Sequence, residues 1–93
     1  MLDCEGGYYI FIWPYRAGRV QLYTSINNWS KPYEMIPIAP TNWVICLKPD
    51  LGPGSKHEYK YIVNGQWQYD PQSPICTSTM NTINNYFTVG MDN

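Results

Sequence analysis

The stretch Glu58-Tyr59-Lys60-Tyr61-Ile62-Val63-Asn64-Gly65-Gln66-Trp67 decides the fold of this chain. It predicts two β-strands joined by Asn64-Gly65, because both central residues of a type I′ turn need a positive φ, which Asn and Gly tolerate best. So tight a turn fixes the register of the strands, and the register decides which face each side chain occupies. The hairpin therefore offers an ammonium, Lys60, and a flat aromatic ring, Trp67, on a rigid ribbon.

The rest of the chain consists of short apolar runs between turn residues, and no window of 11 residues has a helical period. Pro37 and Pro40 restrict residues 33–40 to an edge strand or an extended loop. The Pro/Ser/Thr/Asn-rich residues 70–85 are predicted to form a loop. We expect an all-β, immunoglobulin-like antiparallel β-sandwich, a single domain over residues 1–93 with its core at about 8–90. The further strands are predicted at Tyr8–Trp13, Val20–Thr24, Asn42–Lys48 and Tyr86–Val89.

Composition excludes several classes of function. The net charge is −1 and the six Lys and Arg residues are spread along the chain, which argues against nucleic-acid binding. No apolar run approaches the ~20 residues that span a membrane. The three cysteines, Cys4, Cys46 and Cys76, have no CxxC spacing and predict a reduced intracellular protein. We expect it in the cytoplasm, with a plastid as the alternative.

Catalytic patterns are missing from the sequence. His57 is the only histidine, and its neighbour Glu58 points to the opposite face of a strand, so the two do not form an acid–base pair by adjacency. No nucleophile elbow, paired carboxylates or clustered metal ligands occur. The chain is therefore predicted to be no enzyme, with no catalytic residue, no metal and no cofactor. Cys46 is expected in the core.

The aromatic residues favour a binding surface. Nine Tyr and four Trp against two Phe are more than a plain core needs, although ordinary use as strand formers is the alternative. Trp13 and Trp43 lie in apolar strands and are expected in the core, and Tyr59 and Tyr61 are expected to pack inside the sheet. Trp29 and Trp67 follow polar turn residues and are expected to be available to a ligand. Flat rings together with short hydroxyl and amide side chains and one ammonium match a sugar, whose C–H faces stack on an aromatic ring while its hydroxyls take hydrogen bonds. Area bookkeeping gives about 2.5 kcal/mol as an upper value for each sugar ring stacked on a Trp, if roughly 100 Å² is buried.

Residues 20–85 contain several strings in a characteristic order. The strings are Ser25-Ile26-Asn27-Asn28-Trp29-Ser30-Lys31, Tyr59-Lys60-Tyr61, Val63-Asn64-Gly65-Gln66-Trp67, Tyr69-Asp70-Pro71, Ser73-Pro74, Thr77-Ser78 and Thr82-Ile83-Asn84-Asn85. Together they resemble the glycogen-binding domain of the AMP-activated protein kinase β subunit, within carbohydrate-binding module family 48. Asn81 replaces a glycine of that family, and Asn can still adopt positive φ.

The resemblance implies which residues bind. Two rings would stack on glucose units, one Lys, one Thr and one Asn would hydrogen-bond hydroxyls, and an apolar residue would take the place of the family's inserted Leu. Without the resemblance, a solvated edge lysine and turn-capping Thr and Asn are the simpler interpretations. The implied residues are Trp29, Trp67, Lys60, Thr82, Asn84 and Met80.

The predicted function is non-catalytic binding of α-1,4-glucan, glycogen or a starch-like polysaccharide, which would target an associated kinase or glucan-metabolising enzyme. The alternative is a protein-interaction module that docks on a kinase catalytic subunit or such an enzyme, with a weak or vestigial sugar site.

Overall fold

The computed structural model describes residues 1–90, and within them the regular structure is almost entirely β. Two 3₁₀ turns, Glu5–Gly7 and Ser25–Asn27, interrupt ten strands. No helix in this range is long and apolar enough to cross a membrane. The strands are β1 (Leu2–Cys4), β2 (Tyr8–Trp13), β3 (Val20–Thr24), β4 (Tyr33–Glu34), β5 (Ile36–Ala39), β6 (Asn42–Leu47), β7 (Lys56–Val63), β8 (Gln66–Gln68), β9 (Ile75–Thr77) and β10 (Ile83–Thr88).

The strands form two antiparallel sheets. The four-stranded sheet has the order β1-β2-β6-β5, and the six-stranded sheet has the order β4-β3-β7-β10-β9, with β8 paired to β7. The chain passes between the sheets more than once, for example from β2 to β3 and from β6 to β7. The predicted all-β sandwich is confirmed.

The core follows from strict alternation along the central strands. Phe11 on one sheet and Leu22, Tyr59 and Tyr61 on the other are at most 1% exposed. The Phe11 and Tyr59 rings meet edge to face with centroids 5.1 Å apart. This arrangement stabilises an aromatic pair by more than the burial of its surface alone. The predicted core positions of Tyr59 and Tyr61 are confirmed, as are those of Trp13 and Trp43, which are 3% and 8% exposed.

The turn of the hairpin β7–β8 has the predicted geometry. Asn64 has a φ of 51° and Gly65 a φ of 83°, so both central residues are in the left-handed region. The Asn64 side chain has a second role, because its Oδ1 accepts hydrogen bonds from the backbone N–H groups of Gly18 and Arg19 at 2.8 and 3.0 Å. The turn is thereby tied to the chain entering β3.

Residues 33–40 form two edge strands, which is one of the two alternatives that the prolines allow. The strand β4 is an edge of the six-stranded sheet and β5 is an edge of the four-stranded sheet. Met35 lies between them, where the chain changes sheets, and is only 4% exposed.

The prediction of a loop over residues 70–85 was wrong in part, because β9 and the start of β10 lie within it. Two buried polar residues order this segment. Asn85 accepts a hydrogen bond from the Asp70 backbone N–H at 2.7 Å and donates to the Asp70 carbonyl at 2.8 Å. The Asp70 carboxylate accepts from the Tyr15 hydroxyl at 2.7 Å and from the Ser73 hydroxyl at 2.9 Å. Burial, and then the hydrogen bond from its hydroxyl to Asp70, raise the pKa of Tyr15 to about 12.

The prediction that Cys46 lies in the core was also wrong. Trp43, Ile45 and Leu47 point inward from β6, so Cys46 between them points outward and is exposed.

Candidate carbohydrate-binding site

The outer face of the six-stranded sheet brings Lys60 and Trp67 together. Tyr59 and Tyr61 point into the core, so Lys60 between them points outward. Ile62 lies two residues after Lys60 on β7 and points to the same face. Trp67 pairs with Ile62 across the hairpin and therefore shares that face with Lys60. Trp67 is 54% exposed, a large apolar area left in water. The two side chains line a shallow depression of about 380 Å³ together with Gln68, Tyr69 and Ile83.

Trp29 follows the 3₁₀ turn after β3 and is 36% exposed. Its φ is 58°, an uncommon backbone conformation for a bulky residue and one that costs of the order of 1–3 kcal/mol. Its backbone N–H donates to the Thr24 carbonyl at 3.0 Å, which holds this conformation. The turn is anchored to β7, because the Glu58 N–H donates to the Ser25 hydroxyl and the Thr24 hydroxyl donates to the Glu58 carbonyl, both at 2.9 Å.

Met80 and Thr82 belong to a tight loop between β9 and β10 that Ser78 organises. The Ser78 N–H donates to the Thr82 carbonyl at 2.7 Å, and the two hydroxyls are 2.8 Å apart. Asn81 has a φ of 62°, so it does adopt the positive φ expected of it. Met80 at the tip is 83% exposed. The Thr82 hydroxyl therefore caps the loop and, with one donor and two acceptor sites, keeps capacity for a ligand.

The side chain of Asn84 is positioned by a hydrogen bond to Glu58. It is 7% exposed, and its Nδ2 donates to Glu58 Oε1 at 3.0 Å, which leaves Oδ1 and the second N–H of the amide for other partners. The Cys76 thiol donates to the same carboxylate oxygen at 3.4 Å. Burial, and then this hydrogen bond, raise the pKa of the Cys76 thiol above its usual value.

The structure thus places the six predicted residues on three segments. Lys60 and Trp67 share the depression, while its lining within residues 1–90 does not include the other four. Two further polar or aromatic residues of this face were not predicted. Glu58 joins the Trp29 turn to Asn84, and Tyr23 packs on Trp67 with ring centroids 5.0 Å apart. Neither lies in a string that carries the resemblance, and only the folded structure shows their contacts.

Comparison with known proteins identifies the family of the chain. Residues 8–93 match the family described as the glycogen recognition site of AMP-activated protein kinase. The chain belongs to this family.

Its curated relatives include subunit beta-1 of 5'-AMP-activated protein kinase from Sus scrofa, 40% identical over 82 residues that cover 86% of this chain and 62% of that protein. The beta-1 subunit of Rattus norvegicus is 42% identical over 82 residues, 86% of this chain and 28% of that protein. The beta-2 subunit of Mus musculus is 41% identical over 81 residues, 87% of this chain and 25% of that protein. The chain therefore spans less than two thirds of each.

Proposed function

We propose that this glycogen-recognition domain binds α-1,4-glucan on the outer face of its six-stranded sheet and catalyses no reaction. The observation that carries the proposal is the half-exposed Trp67 beside Lys60, on a hairpin whose register is fixed by its turn. A free ring of this size is costly in water unless a ligand covers it.

Each predicted residue has a distinct chemical task. The rings of Trp67 and Trp29 would cover the apolar C–H faces of glucose units. The Lys60 ammonium would donate to sugar oxygens, and Asn84 Oδ1 would accept from a sugar hydroxyl. The Thr82 hydroxyl can do either, and Met80 would pack against the curved chain. Association entropy opposes these gains, so we expect weak binding of short oligosaccharides and tighter retention of a branched polysaccharide with many chain ends.

The local geometry supports binding without chemistry. Ser55 Oγ lies 2.8 Å from His57 Nε2, the separation of a nucleophile and its base. The Ser55 hydroxyl, however, also lies 2.6 Å from the Gly52 carbonyl, to which it donates its only proton. The His57 ring packs on Phe87 with centroids 5.5 Å apart, and burial lowers the pKa of its imidazole. The contacts of Ser55 and His57 therefore fit a structural role at the start of β7.

Co-sedimentation with glycogen tests the proposal. Wild type should pellet with glycogen, and the double variant Trp29→Ala, Trp67→Ala should stay in the supernatant. Ile36→Ala is the control and should pellet as wild type does. Ile36 is 63% exposed on the other sheet, so removing its side chain should disturb folding no more than removing the two Trp side chains. A wild type that stays in the supernatant, or a double variant that pellets as wild type does, would overturn the proposal.

The outer face of the four-stranded sheet supports a second candidate function, docking on a kinase catalytic subunit. Ile12, Val44 and Ile36 lie side by side across β2, β6 and β5. Leu2 and Ile10 continue the same face on β1 and β2. Leu2 is 54% and Ile36 63% exposed, and contiguous exposed apolar surface of this kind marks protein interaction sites.

The relatives are subunits of a kinase by name, and we therefore propose a kinase catalytic subunit as the partner that covers this face. Ile36→Asp should abolish capture of a kinase catalytic subunit and leave glycogen binding intact. Capture by Ile36→Asp equal to wild type would rule out this face. The cytoplasmic location predicted from composition, where both partners would be met, stays a prediction.

A further inference from the structure

Tyr23 is an aromatic residue near the proposed site that no sequence motif predicts. It points to the outer face of the six-stranded sheet, because Leu22 and Thr24 on either side of it are fully buried. Its direct partner across the β3–β7 pair is Lys60, the cation of the site. Tyr23 is itself only partly exposed.

The contact between Tyr23 and Trp67 reveals how both rings lie. Tyr23 is on β3 and Trp67 on β8, and β7 runs between these two strands. Neighbouring strands are about 4.8 Å apart, so the two backbones are separated by roughly 10 Å. The ring centroids are nevertheless only 5.0 Å apart. The two side chains must therefore lean towards each other over β7, where they form one aromatic surface across three strands.

This surface is bent. The planes of the two rings are inclined by 39°, so one flat sugar face cannot stack on both. A chain that stacks one glucose unit on Trp67 would bring another part of the chain to Tyr23. The Tyr23 hydroxyl has no hydrogen-bond partner among residues 1–90, which leaves its donor and its acceptor sites for a ligand.

We infer that Tyr23 is a further glucan-contacting residue, whose ring extends the Trp67 surface towards β3 and whose hydroxyl hydrogen-bonds a sugar hydroxyl. The inference rests on the proposed function and deepens it. It adds one more sugar contact along the chain, so the protein should favour glucans of several units over maltose by more than Trp67 alone would allow.

The test is calorimetric titration of the whole 93-residue chain with maltoheptaose and with maltose. Tyr23→Phe removes only the hydroxyl and should weaken maltoheptaose binding about threefold, as loss of one neutral hydrogen bond does. Tyr23→Ala should weaken it about tenfold and reduce the preference for maltoheptaose over maltose. Tyr8→Phe and Tyr8→Ala are the matched controls, since Tyr8 is 43% exposed on the opposite sheet, and both should bind as wild type does.

The outcomes separate this inference from the proposed function. If wild type and Tyr23→Phe bind maltoheptaose equally, no sugar contacts the hydroxyl, and the inference is overturned even if Tyr23→Ala binds weakly or fails to fold. In that case Tyr23 only supports the Trp67 ring. If wild type itself does not bind, the proposed function fails and the inference with it.

Discussion

The outer faces of the two sheets differ in chemistry although the same alternation of side chains builds both. The six-stranded sheet presents Trp67, Tyr23, Lys60 and the Glu58–Asn84 pair, which combine flat rings with donors and acceptors. The four-stranded sheet presents aliphatic side chains in register across three strands, Ile12, Val44 and Ile36. In the six-stranded sheet each ring has a polar neighbour.

A sugar needs both kinds of group, because its C–H faces are apolar and its edge is a ring of hydroxyls. An aliphatic face could bury the first but would leave the second without partners, at a cost of about 1–3 kcal/mol for each hydroxyl buried alone. An aliphatic face suits another protein surface, which can be apolar throughout its contact. We therefore propose that sugar and protein bind on opposite sides of one sandwich.

A matched pair of lysines should show the largest difference between the faces. Lys60→Met keeps most of the side chain's volume and removes the ammonium, and we expect glucan affinity to fall about tenfold or more, as loss of a charged hydrogen bond does. Lys48→Met removes the ammonium that lies 5.0 Å from the centre of the Tyr8 ring on the other sheet. Calorimetry with maltoheptaose should find that Lys48→Met binds as wild type does. An equal effect of the two substitutions would mean a general charge effect.

The next prediction concerns the rigidity of the hairpin. Asn64→Ala puts at the turn a residue that tolerates positive φ less well than Asn, and it removes the acceptor for two backbone N–H groups. We expect the free energy of unfolding to fall by about 2 kcal/mol. Glucan affinity should fall about fivefold under conditions where the variant is still folded.

Urea unfolding measures the first effect and calorimetry the second. Asn64→Gly separates the two causes, since it keeps the backbone conformation and loses only the side-chain acceptor. Should Asn64→Ala bind glucan as tightly as wild type, the hairpin does not need its fixed register to form the site.

The smallest expected effect is that of the carboxylate beneath Asn84. Glu58→Gln replaces a charged acceptor by a neutral one, which holds the Asn84 amide less firmly, and we expect a twofold to threefold loss of glucan affinity. Glu34→Gln is the control on the same sheet, because the exposed Glu34 pairs with Arg19, and such surface pairs contribute little. Unchanged affinity of Glu58→Gln in calorimetric titration would remove Glu58 from the site.

The sequence carries the hairpin and the core well because both depend on local patterns. Asn64-Gly65 specifies its own turn, and the alternation around Tyr59 and Tyr61 specifies which side faces inward. The strand β9 and the start of β10 have no such pattern. They are ordered by hydrogen bonds between Asp70 and Asn85, 15 residues apart.

The site shows the same limit. Lys60 and Trp67 could be placed on one face from the turn alone. Tyr23 could not, because its partner Lys60 lies 37 positions away and is set only by the register of β3 on β7. In the sequence Glu58 is notable only as the neighbour of His57, whereas in the structure it contacts Asn84, Cys76 and the turn that carries Trp29.

The four tryptophans allow the most direct test of glucan binding on the six-stranded sheet, through their indole N–H signals in a nuclear magnetic resonance titration with maltoheptaose. Trp29 and Trp67 are exposed on the proposed site, and Trp13 and Trp43 are buried in the core. The signals of Trp29 and Trp67 should shift as ligand is added, while those of Trp13 and Trp43 should stay in place. Shifts in the backbone signals of Ile12, Val44 and Ile36, with the Trp67 indole unmoved, would contradict the proposed location of the sugar.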